Sequence, residues 1–311
     1  MTFFEKLVYF PVYSIIKGLS FCPLSLLYVL SDGMAFILHR VARYRLKVVR
    51  ENLVSSFPEK DEKEILKIER QFYHFITDYA FETIKLLSIS KSEMKKRMVI
   101  ENSDMVNEAV ACGRSVVLYL GHYCNWEWVS SLPLWFTPAA TSAQVYHHLH
   151  SKVMNEIFMK IRTRFHDNNI EMADIMRRLI SWKREGKCSV TGLIADQCPK
   201  FEIHLFLDFL NHETGVYTGP ERIARFLDAE VLFCHLSRPR RGNYNLRFVK
   251  ITDSPKEIDT FGITRKYFEL LEANIREAPQ YWLWSHRRWK RTRTDFYKHW
   301  GEQSEKMLSH L

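Results

Sequence analysis

The chain has 311 residues, of which 46% are hydrophobic and 26% charged, a composition typical of a folded protein rather than a disordered one. Its 11 glycines and 10 prolines exclude collagen-like and low-complexity architectures, and a mean hydropathy of −0.25 excludes a multi-span membrane protein. The formal net charge is +9 and aromatic residues make up 14% of the chain. The charge favours a polyanionic partner, either nucleic acid or an anionic membrane, and the aromatic content favours the membrane. The six cysteines form no C-x-x-C pair and no zinc-finger spacing, which indicates a reducing compartment rather than a disulfide scaffold.

The first forty residues are more apolar than the rest of the chain. Residues 18–31 carry no charge, and the apolar run continues beyond Asp32. A membrane-spanning helix needs about 20 predominantly apolar residues, so this segment qualifies only if Lys17 or Asp32 lies near a membrane face. Five cations follow between Arg40 and Arg50, which predicts that this flank stays on the cytoplasmic side. We expect an uncleaved anchor or an interfacial helix, with a buried pair of core helices as the alternative.

Beyond the first forty residues, the chain predicts a long helix and then an alternation of strands and helices. Apolar residues at three- and four-residue steps predict an amphipathic helix over residues 59–88. Short β-branched and apolar runs predict buried strands, and an alternating run predicts a half-exposed strand; the buried strands are expected at residues 115–120, 188–195 and 230–236, and the half-exposed one at residues 243–251. Further helices are expected at residues 154–165, 172–184, 218–228 and 264–278. The third of these begins with a capping box from Thr218 to Glu221, with Pro220 just inside the helix.

This alternation predicts the fold class. Helices that alternate with short buried strands indicate an α/β fold with a central mixed sheet flanked by helices, preceded here by an apolar N-terminal helical anchor. Ligands are expected beyond the ends of the strands. We predict a membrane anchor or interfacial helix at residues 1–40, a helical region at residues 41–100, and an α/β catalytic domain at residues 101–311 that ends in a basic, aromatic tail.

A histidine follows the first predicted strand directly. Residues 121–128 read GHYCNWEW, so His122 and Glu127 form a His-x4-Glu pair behind a glycine that permits a tight turn. The same spacing recurs at His166 and Glu171, in a polar segment that we interpret as a solvated turn. A histidine can take a proton from a hydroxyl group, and a carboxylate on its other ring nitrogen fixes the tautomer. Residues five apart on one helix point about 140° away from each other, so the pair meets only if His122 lies in a turn before a helix that carries Glu127.

Other polar motifs are less specific. The HHLH run at residues 147–150 lacks a supporting carboxylate or cysteine and is interpreted as a solvated loop rather than a metal site. The sequence contains no G-x-S-x-G, P-loop or G-x-G-x-x-G motif, which argues against a serine hydrolase, an NTPase and a dinucleotide-binding protein. Asp196 and Gln197 follow a predicted strand directly, and they either bind a polar substrate group or turn the chain.

Two basic features remain. Arg162 and Arg164 either converge on an anion at the end of a helix or form an exposed basic terminus. Residues 281–293 interleave four aromatic residues with five cations. This pattern is typical of a segment that binds an anionic membrane surface or nucleic acid, and the alternative is a docked helix with its cations in water.

Five blocks in order along the chain resemble the bacterial lipid A late-acyltransferase family, within the wider group of His-x4-Asp/Glu glycerolipid acyltransferases. They are GHYCNWE at residues 121–127, Val145-Tyr146 followed by Arg162-Thr163-Arg164, Ala195-Asp196-Gln197, Thr218-Gly219, and YWLWSHRRWK at residues 281–290. The likeness spans most of the chain from about residue 40. Three positions depart from the family's pattern, because His147 and Ser151 stand where Arg and Asn are usual and Cys124 replaces a common glycine.

The resemblance implies acyl transfer from a thioester donor, an acyl-carrier protein or acyl-CoA, to a hydroxyl group of a lipid A precursor at the cytoplasmic face of a bacterial inner membrane. It implies His122 as the general base and Glu127 as the group that orients it. Arg164, together with Arg162, would stabilise the oxyanion or hold an acceptor phosphate. The implied substrate-binding residues are Arg162, Arg164, Asn125, Asp196, Gln197, Thr218 and Gly219. No metal and no bound cofactor is required.

Two alternatives remain open. The departures at His147 and Ser151 allow a lysophospholipid or an amino-acid lipid as the acceptor. A more remote alternative is a non-catalytic protein that binds a membrane or nucleic acid through residues 281–293. That alternative leaves the five ordered blocks unexplained, so we do not expect nucleic acid as a partner.

Overall fold

Two apolar helices open the chain in the computed structural model, which describes residues 2–165 and 168–308. Helix α1 (Phe3–Phe21) and helix α2 (Leu24–Phe36) are separated at Pro23, and α2 continues as a π-helical turn, Ile37–Val41. Within the described residues, one stretch, Leu24–Val41, is long and apolar enough to cross a membrane, and 22% of it is buried inside the protein. The apolar N-terminal helix expected from the sequence is therefore confirmed.

Three helices follow this apolar pair. They are α3 (Leu46–Ser56), α4 (Glu62–Lys85) and α5 (Lys91–Arg97). Helix α4 confirms the amphipathic helix predicted over residues 59–88, and it begins where the side chains of Asp61 and Glu64 cap each other's backbone N–H groups. Its apolar face packs against α1, α2 and α3, so the long helix joins the N-terminal pair to the rest of the protein.

A seven-stranded mixed sheet forms the centre of the molecule, which confirms the predicted fold class. Its strands are β1 (Met98–Ile100), β2 (Val116–Leu120), β3 (Thr141–Tyr146), β4 (Asn169–Glu171), β5 (Ser189–Ile194), β8 (Glu230–Arg240) and β9 (Asn243–Thr252). Their order across the sheet is β1-β9-β8-β2-β5-β3-β4, and all neighbours run parallel except the antiparallel pair β8 and β9. A separate hairpin consists of β6 (Leu205–Phe209) and β7 (His212–Val216).

The four strands predicted from the sequence are β2, β5, β8 and β9, and all four are present. Strand β9 has the predicted alternation, since Tyr244, Leu246 and Phe248 are buried and the residues between them are partly or fully exposed. Sequence reasoning missed β1, β3, β4 and the β6–β7 hairpin. These strands are short or only half-buried, so their residues do not form a continuous apolar run.

The remaining helices lie between and after the strands. They are α6 (Asp104–Ala111), α7 (Lys152–Arg162), α8 (Ile175–Arg184), α9 (Gly219–Leu227), α10 (Gly262–Glu277), α11 (Arg293–Trp300) and α12 (Ser304–Leu308). A seven-residue 3₁₀ helix occupies Trp128–Leu134, and three-residue 3₁₀ turns occupy Met172–Asp174, Pro279–Tyr281 and Gly301–Gln303. The four helices predicted in this part of the chain correspond to α7, α8, α9 and α10.

The start of α9 differs from the prediction in one respect. Pro220 lies in the first turn as expected, but among the described residues the side chain of Thr218 makes no capping hydrogen bond. Glu221 is fully buried, and its carboxylate accepts hydrogen bonds from the backbone N–H groups of Phe261 and Thr264, both at 2.9 Å. The predicted capping box is therefore wrong, because Glu221 is used to fix α9 against the start of α10.

The basic, aromatic segment at residues 281–293 also differs from expectation. Trp282 and Trp284 are buried in the main core, and Trp282 forms an isolated β-bridge with Tyr123. The prediction that this segment binds a membrane surface is therefore wrong for its buried aromatic residues, because they pack inside the protein. The HHLH run is an exposed loop, as predicted, whereas His166 lies outside the described residues.

Candidate active site

Strands β2 and β5 lie side by side, and each carries a polar residue just beyond its carboxyl end. Leu120 is paired with Ile194 in the parallel register, so His122 and Asp196 both lie two residues past the sheet edge. The Nδ1 atom of His122 lies 2.6 Å from Oδ1 of Asp196. The backbone N–H of His122 donates to the other carboxylate oxygen of Asp196, Oδ2, at 2.8 Å. The parallel topology thus brings together two residues that are 74 positions apart in the sequence.

Gly121, between β2 and His122, lies against the side chain of Leu271 on α10. A Cβ atom at this position would lie 2.5 Å from Cδ1 of Leu271, so a larger residue would require that side chain to move. The left-handed residue of this turn is instead Cys124, with φ of 51°. The glycine identified in the sequence therefore serves the close approach of α10 to the sheet edge.

Asp196 is 1% exposed and is held by several donors. Besides the two bonds from His122, the indole N–H of Trp282 donates to Oδ2 at 2.8 Å. Burial alone would raise the pKa of Asp196, but the imidazole of His122 when protonated, together with the hydrogen bonds from His122 and Trp282, lowers it below its ordinary value. Asp196 is therefore ionised and can only accept, so the ring of His122 carries its proton on Nδ1 and exposes a basic Nε2.

The basic Nε2 of His122 faces an amide. The side-chain nitrogen of Gln197 lies 3.2 Å from it, a distance at which the amide donates to the imidazole. The side chain of His122 is 20% exposed, so the imidazole is partly open to the outside of the protein. The site can therefore accept a proton from a hydroxyl group that takes the place of this amide.

Glu127 has a different partner from the one predicted. Its carboxylate is bound at both oxygens by Arg162, with Nε–Oε2 at 3.0 Å and Nη2–Oε1 at 2.6 Å. Glu127 is 2% exposed and the side chain of Arg162 15%, so the pair is largely shielded from water. This arrangement corrects the expectation that Glu127 orients His122, because the two-pronged guanidinium occupies its carboxylate and Asp196 takes the place beside the imidazole.

The two arginines of the R-x-R block point to different places. While Arg162 reaches inward to Glu127, Arg164 is exposed and donates from Nη2 to the backbone carbonyl of Ile89 at 3.2 Å. Their side chains therefore do not converge on one anion in the described structure. Arg162 therefore compensates the charge of Glu127, whereas the exposed Arg164 has one hydrogen bond to the backbone, and its predicted role at an oxyanion or phosphate stays a prediction.

Asn125, predicted to contact substrate, is fully buried. It donates from Nδ2 to Glu82 at 2.7 Å and accepts from the backbone N–H of Trp128 at 3.1 Å. Tyr244 donates to the same carboxylate of Glu82 at 2.6 Å. Asn125 therefore fixes the turn between His122 and the 3₁₀ helix to α4, and this corrects its predicted role as a substrate contact.

An apolar cleft lies beside strands β2, β3 and β5. Its wall includes Leu118, Leu120, Trp126, Val129, Phe136 and Ile194. The ring of Trp126 contacts the ring of His122 edge-on, with centroids 5.2 Å apart, and stacks on Tyr79 at 4.0 Å. Trp126 therefore lies both in the wall of this cleft and against the imidazole of His122.

A second apolar cleft lies across strand β5. Leu193 and Ala195 alternate along the strand with the residues that face the first cleft, so they line this one together with Tyr217, Gly219 and Phe226. Of the predicted Thr218-Gly219 pair, Gly219 thus faces a cleft, while Thr218 is buried at the start of α9. This second cleft reaches Ala195, the residue before Asp196.

Three site residues were missed by sequence reasoning, and all lie in the segment that follows α10. Trp282 binds Asp196 directly. His286 accepts from the backbone N–H of Cys198 at 3.2 Å, and burial lowers its pKa to about 4 although the charge of Asp196 opposes this. Arg288 is fully buried and donates to Thr214 and to the carbonyl of Gly215, at 2.8 and 3.1 Å. The YWLWSHRRWK block was the available signal, but it does not reveal which of its members reaches Asp196.

Two further observations concern metal binding and the similarity of this chain to known proteins. Within residues 2–165 and 168–308, no three His, Cys, Asp or Glu side chains are grouped so as to hold a metal ion. A family model described as bacterial lipid A biosynthesis acyltransferase matches residues 3–291, a range that includes every residue of the site. A comparison with curated proteins found no significant match.

Proposed function

The chain belongs to the bacterial lipid A biosynthesis acyltransferase family, and we propose that it moves a fatty acyl chain from a thioester to a hydroxyl group of a lipid A precursor. The donor would be an acyl-carrier protein or acyl-CoA. The observation that carries this proposal is the 2.6 Å contact between His122 and Asp196 just beyond the ends of two neighbouring strands. It supplies a general base, and an apolar cleft of about 470 Å³ reaches Ala195, the residue before Asp196.

In the proposed reaction, Nε2 of His122 takes the proton of the acceptor hydroxyl while the hydroxyl oxygen attacks the thioester carbonyl carbon. The tetrahedral intermediate then expels the thiolate by cleavage of the carbon–sulfur bond, and the imidazolium returns its proton to the sulfur. Asp196 fixes the tautomer and stabilises the imidazolium. General base catalysis of this kind contributes about 10²- to 10⁴-fold in rate.

The side-chain amide of Gln197 is the proposed donor to the developing oxyanion. It lies 3.2 Å from Nε2 of His122, close to where the reacting hydroxyl must sit. When the hydroxyl replaces it beside the imidazole, its N–H groups become free for the carbonyl oxygen of the thioester. We assign this role to Gln197 because its amide lies beside Nε2 of His122, whereas Arg162 is bound to Glu127 and Arg164 contacts the carbonyl of Ile89.

The surroundings support a lipid substrate. We propose that the acyl chain lies in the apolar cleft lined by Leu193, Ala195 and Tyr217, which has a volume of about 470 Å³ and reaches the residue before Asp196. The exposed apolar side chains of α1 and α2 favour attachment to the inner membrane. The cations that follow α2 favour the cytoplasmic face for the rest of the chain.

The test is acyl transfer by the purified full-length protein in detergent. Donors are acyl-carrier-protein and CoA thioesters, and acceptors are a tetra-acylated lipid A precursor, a lysophospholipid and a monoacylated amino-acid lipid. His122→Ala removes the base, and His148→Ala, in the exposed loop, is the matched control. We expect turnover of the lipid A precursor by the wild type and the control, and loss of at least 100-fold in His122→Ala.

Three other outcomes of this assay would change or contradict the proposal. Turnover of the lysophospholipid or amino-acid lipid alone would replace the acceptor but keep the mechanism. Near wild-type turnover by folded His122→Ala would rule out His122 as the base. A folded wild type that acylates none of the acceptors would contradict the proposed function.

A further inference from the structure

A polar cleft, separate in sequence from the site described above, lies where the apolar helices α1 and α2 end. It has a volume of about 370 Å³ and is bounded by the π-helical turn, the start of α3 and the first half of α4. The residues that line it are His39, Arg40, Arg43, Leu46, Arg50, Lys63, Leu66, Glu69 and Arg70. Five of these are cations and one is a carboxylate, so the cleft is strongly positive.

The carboxylate in this cleft is already neutralised. Glu69 is buried, and Arg50 donates to both of its oxygens, at 2.8 and 2.9 Å, while His39 contacts Oε1 at 2.9 Å. Arg50 also experiences the charge of Glu62. The positive charge of the other cations therefore faces the open cleft without a competing carboxylate on its wall.

Three of these cations are free to bind a ligand. Within residues 2–165 and 168–308, Arg40, Arg43 and Lys63 donate to no carboxylate and no carbonyl group, and all three are exposed. Arg70 uses its Nε for the carbonyl of Leu66 at 3.2 Å, which leaves its terminal nitrogens available. Arginine and lysine side chains clustered in this way match the oxygens of a phosphate group.

The base of the cleft is rigid. The ring of His39 stacks on Tyr73, with centroids 4.8 Å apart, and the hydroxyl of Tyr73 donates to the backbone carbonyl of Tyr44. Arg43 and Arg45 on either side of Tyr44 have left-handed backbone angles, with φ of 48° and 51°. Such angles are unfavourable for residues other than glycine, so the turn persists because its contacts hold it.

The position of the cleft indicates the kind of molecule that brings the phosphate. Exposed apolar side chains adjoin it at the end of α2 and in the π-helical turn, where Phe36, Ile37 and Val41 are 62%, 47% and 66% exposed. A lipid has the same combination, with apolar chains next to an anionic headgroup. A free phosphate ion would gain nothing from the apolar surface beside the cations.

We propose that this cleft binds the phosphate of a membrane lipid headgroup while the adjoining apolar side chains enter the lipid layer. Arg40, Arg43, Lys63 and Arg70 would contact the phosphate oxygens, and the Arg50–Glu69–His39 group would hold the base of the cleft. The proposal does not depend on the acyl-transfer mechanism. A phospholipid and a phosphorylated glycolipid share this chemistry, so the experiment distinguishes them.

The test is binding of the full-length protein to vesicles at fixed ionic strength. One set contains phosphatidylcholine alone, a second adds phosphatidylglycerol, and a third adds a diphosphorylated glycolipid. The variant Arg40→Gln/Arg43→Gln/Lys63→Gln is compared with Arg184→Gln/Lys256→Gln/Lys266→Gln, which removes three exposed cations elsewhere. We expect the first variant to bind anionic vesicles about 100-fold more weakly, and the second to change by less than about threefold.

Each outcome decides a point. Loss confined to one anionic lipid supports the site and identifies its ligand, and loss on both supports a general headgroup site. Equal loss in the two variants would reduce the effect to net charge and overturn the proposal. A water-soluble short-chain phosphatidylglycerol should bind the wild type more tightly than inorganic phosphate does, and equal affinity would assign the cleft to a free anion instead. Thermal unfolding checks that the triple variant is folded. If it is not, the variant Lys63→Gln/Arg70→Gln, which changes α4 only, replaces it in the same binding measurement.

Discussion

Asp196 accepts a hydrogen bond from the ring of His122 and another from its backbone N–H, so one carboxylate fixes both the imidazole and the turn that carries it. This relationship makes Asp196 the residue through which the base is oriented. Asp196 thus has the role that the sequence analysis had assigned to Glu127, since that residue is bound to Arg162.

We predict that Asp196→Asn lowers kcat about 10³-fold or more. The neutral side chain can present its NH2 group to Nδ1, which favours the tautomer with the proton on Nε2 and removes the base. The measurement is steady-state acyl transfer with the acceptor identified by the panel above. Asp208→Asn, an exposed carboxylate on β6, is the control and should retain full activity. Comparable activity in the two variants would show that Asp196 does not orient the base.

The buried pair of Glu127 and Arg162 gives a prediction about stability. Glu127→Gln or Arg162→Gln alone leaves one charge buried without its partner, and we expect each to cost about 3 kcal/mol in the free energy of unfolding. The double variant should cost less than the sum of the two single variants, because neither charge is then left alone. Denaturant unfolding of the three variants measures this coupling. Additive losses would mean that the two side chains do not act as a pair.

We predict that loss of the indole N–H of Trp282 affects activity more than it affects stability. Trp282→Phe removes the indole donor to Asp196, and we expect kcat to fall about tenfold with a loss of about 1 kcal/mol in stability. Trp284, two residues after Trp282, also has a buried indole donor, which binds the carbonyl of Pro279. Trp284→Phe removes that hydrogen bond and is therefore a matched control. It should cost similar stability and leave kcat near the wild-type value. A similar fall in kcat for both variants would point to general loosening of this segment.

His286 predicts a dependence of stability on pH. Its pKa in the folded protein is about 4, below the ordinary value of 6.5. Between these two values the unfolded chain binds a proton that the folded chain does not, so stability is lost as pH falls from about 6.5 to about 4. After allowance for partial exposure, the loss from this group is about 2 kcal/mol. In His286→Gln, unfolding free energies at pH 7 and pH 4.5 should differ by less than in the wild type, and an unchanged difference would contradict this assignment.

The elements that sequence reasoning found are those whose burial leaves a clear pattern. Strand β2 is apolar at every position, and α4 repeats its apolar residues at helical spacing, so both could be predicted. Strand β3 contains Thr141, Ser142 and Gln144 and is mostly half-buried, so nothing in its pattern distinguishes it from a loop.

The site was predictable only in part, for a topological reason. His122 and Asp196 each follow a predicted strand, and both were identified as candidates. Which carboxylate meets the histidine depends on β5 being the neighbour of β2, a fact about strand order that local patterns do not contain. Glu127 follows His122 by five residues, so it was predicted to be the partner of the histidine. In the structure its carboxylate is instead bound by Arg162 on α7.

The bond from Trp282 to Asp196 also sets an order of events during synthesis. The apolar helices α1 and α2 leave the ribosome first, whereas Trp282 is made some 240 residues after the end of Leu24–Val41. At about 5–20 residues per second, that interval lasts roughly 10 to 50 seconds. A nascent chain can therefore reach a lipid layer well before its carboxylate, imidazole and indole are assembled. The group formed by Asp196, His122 and Trp282 would then be complete only after the N-terminal helices have contacted the lipid layer.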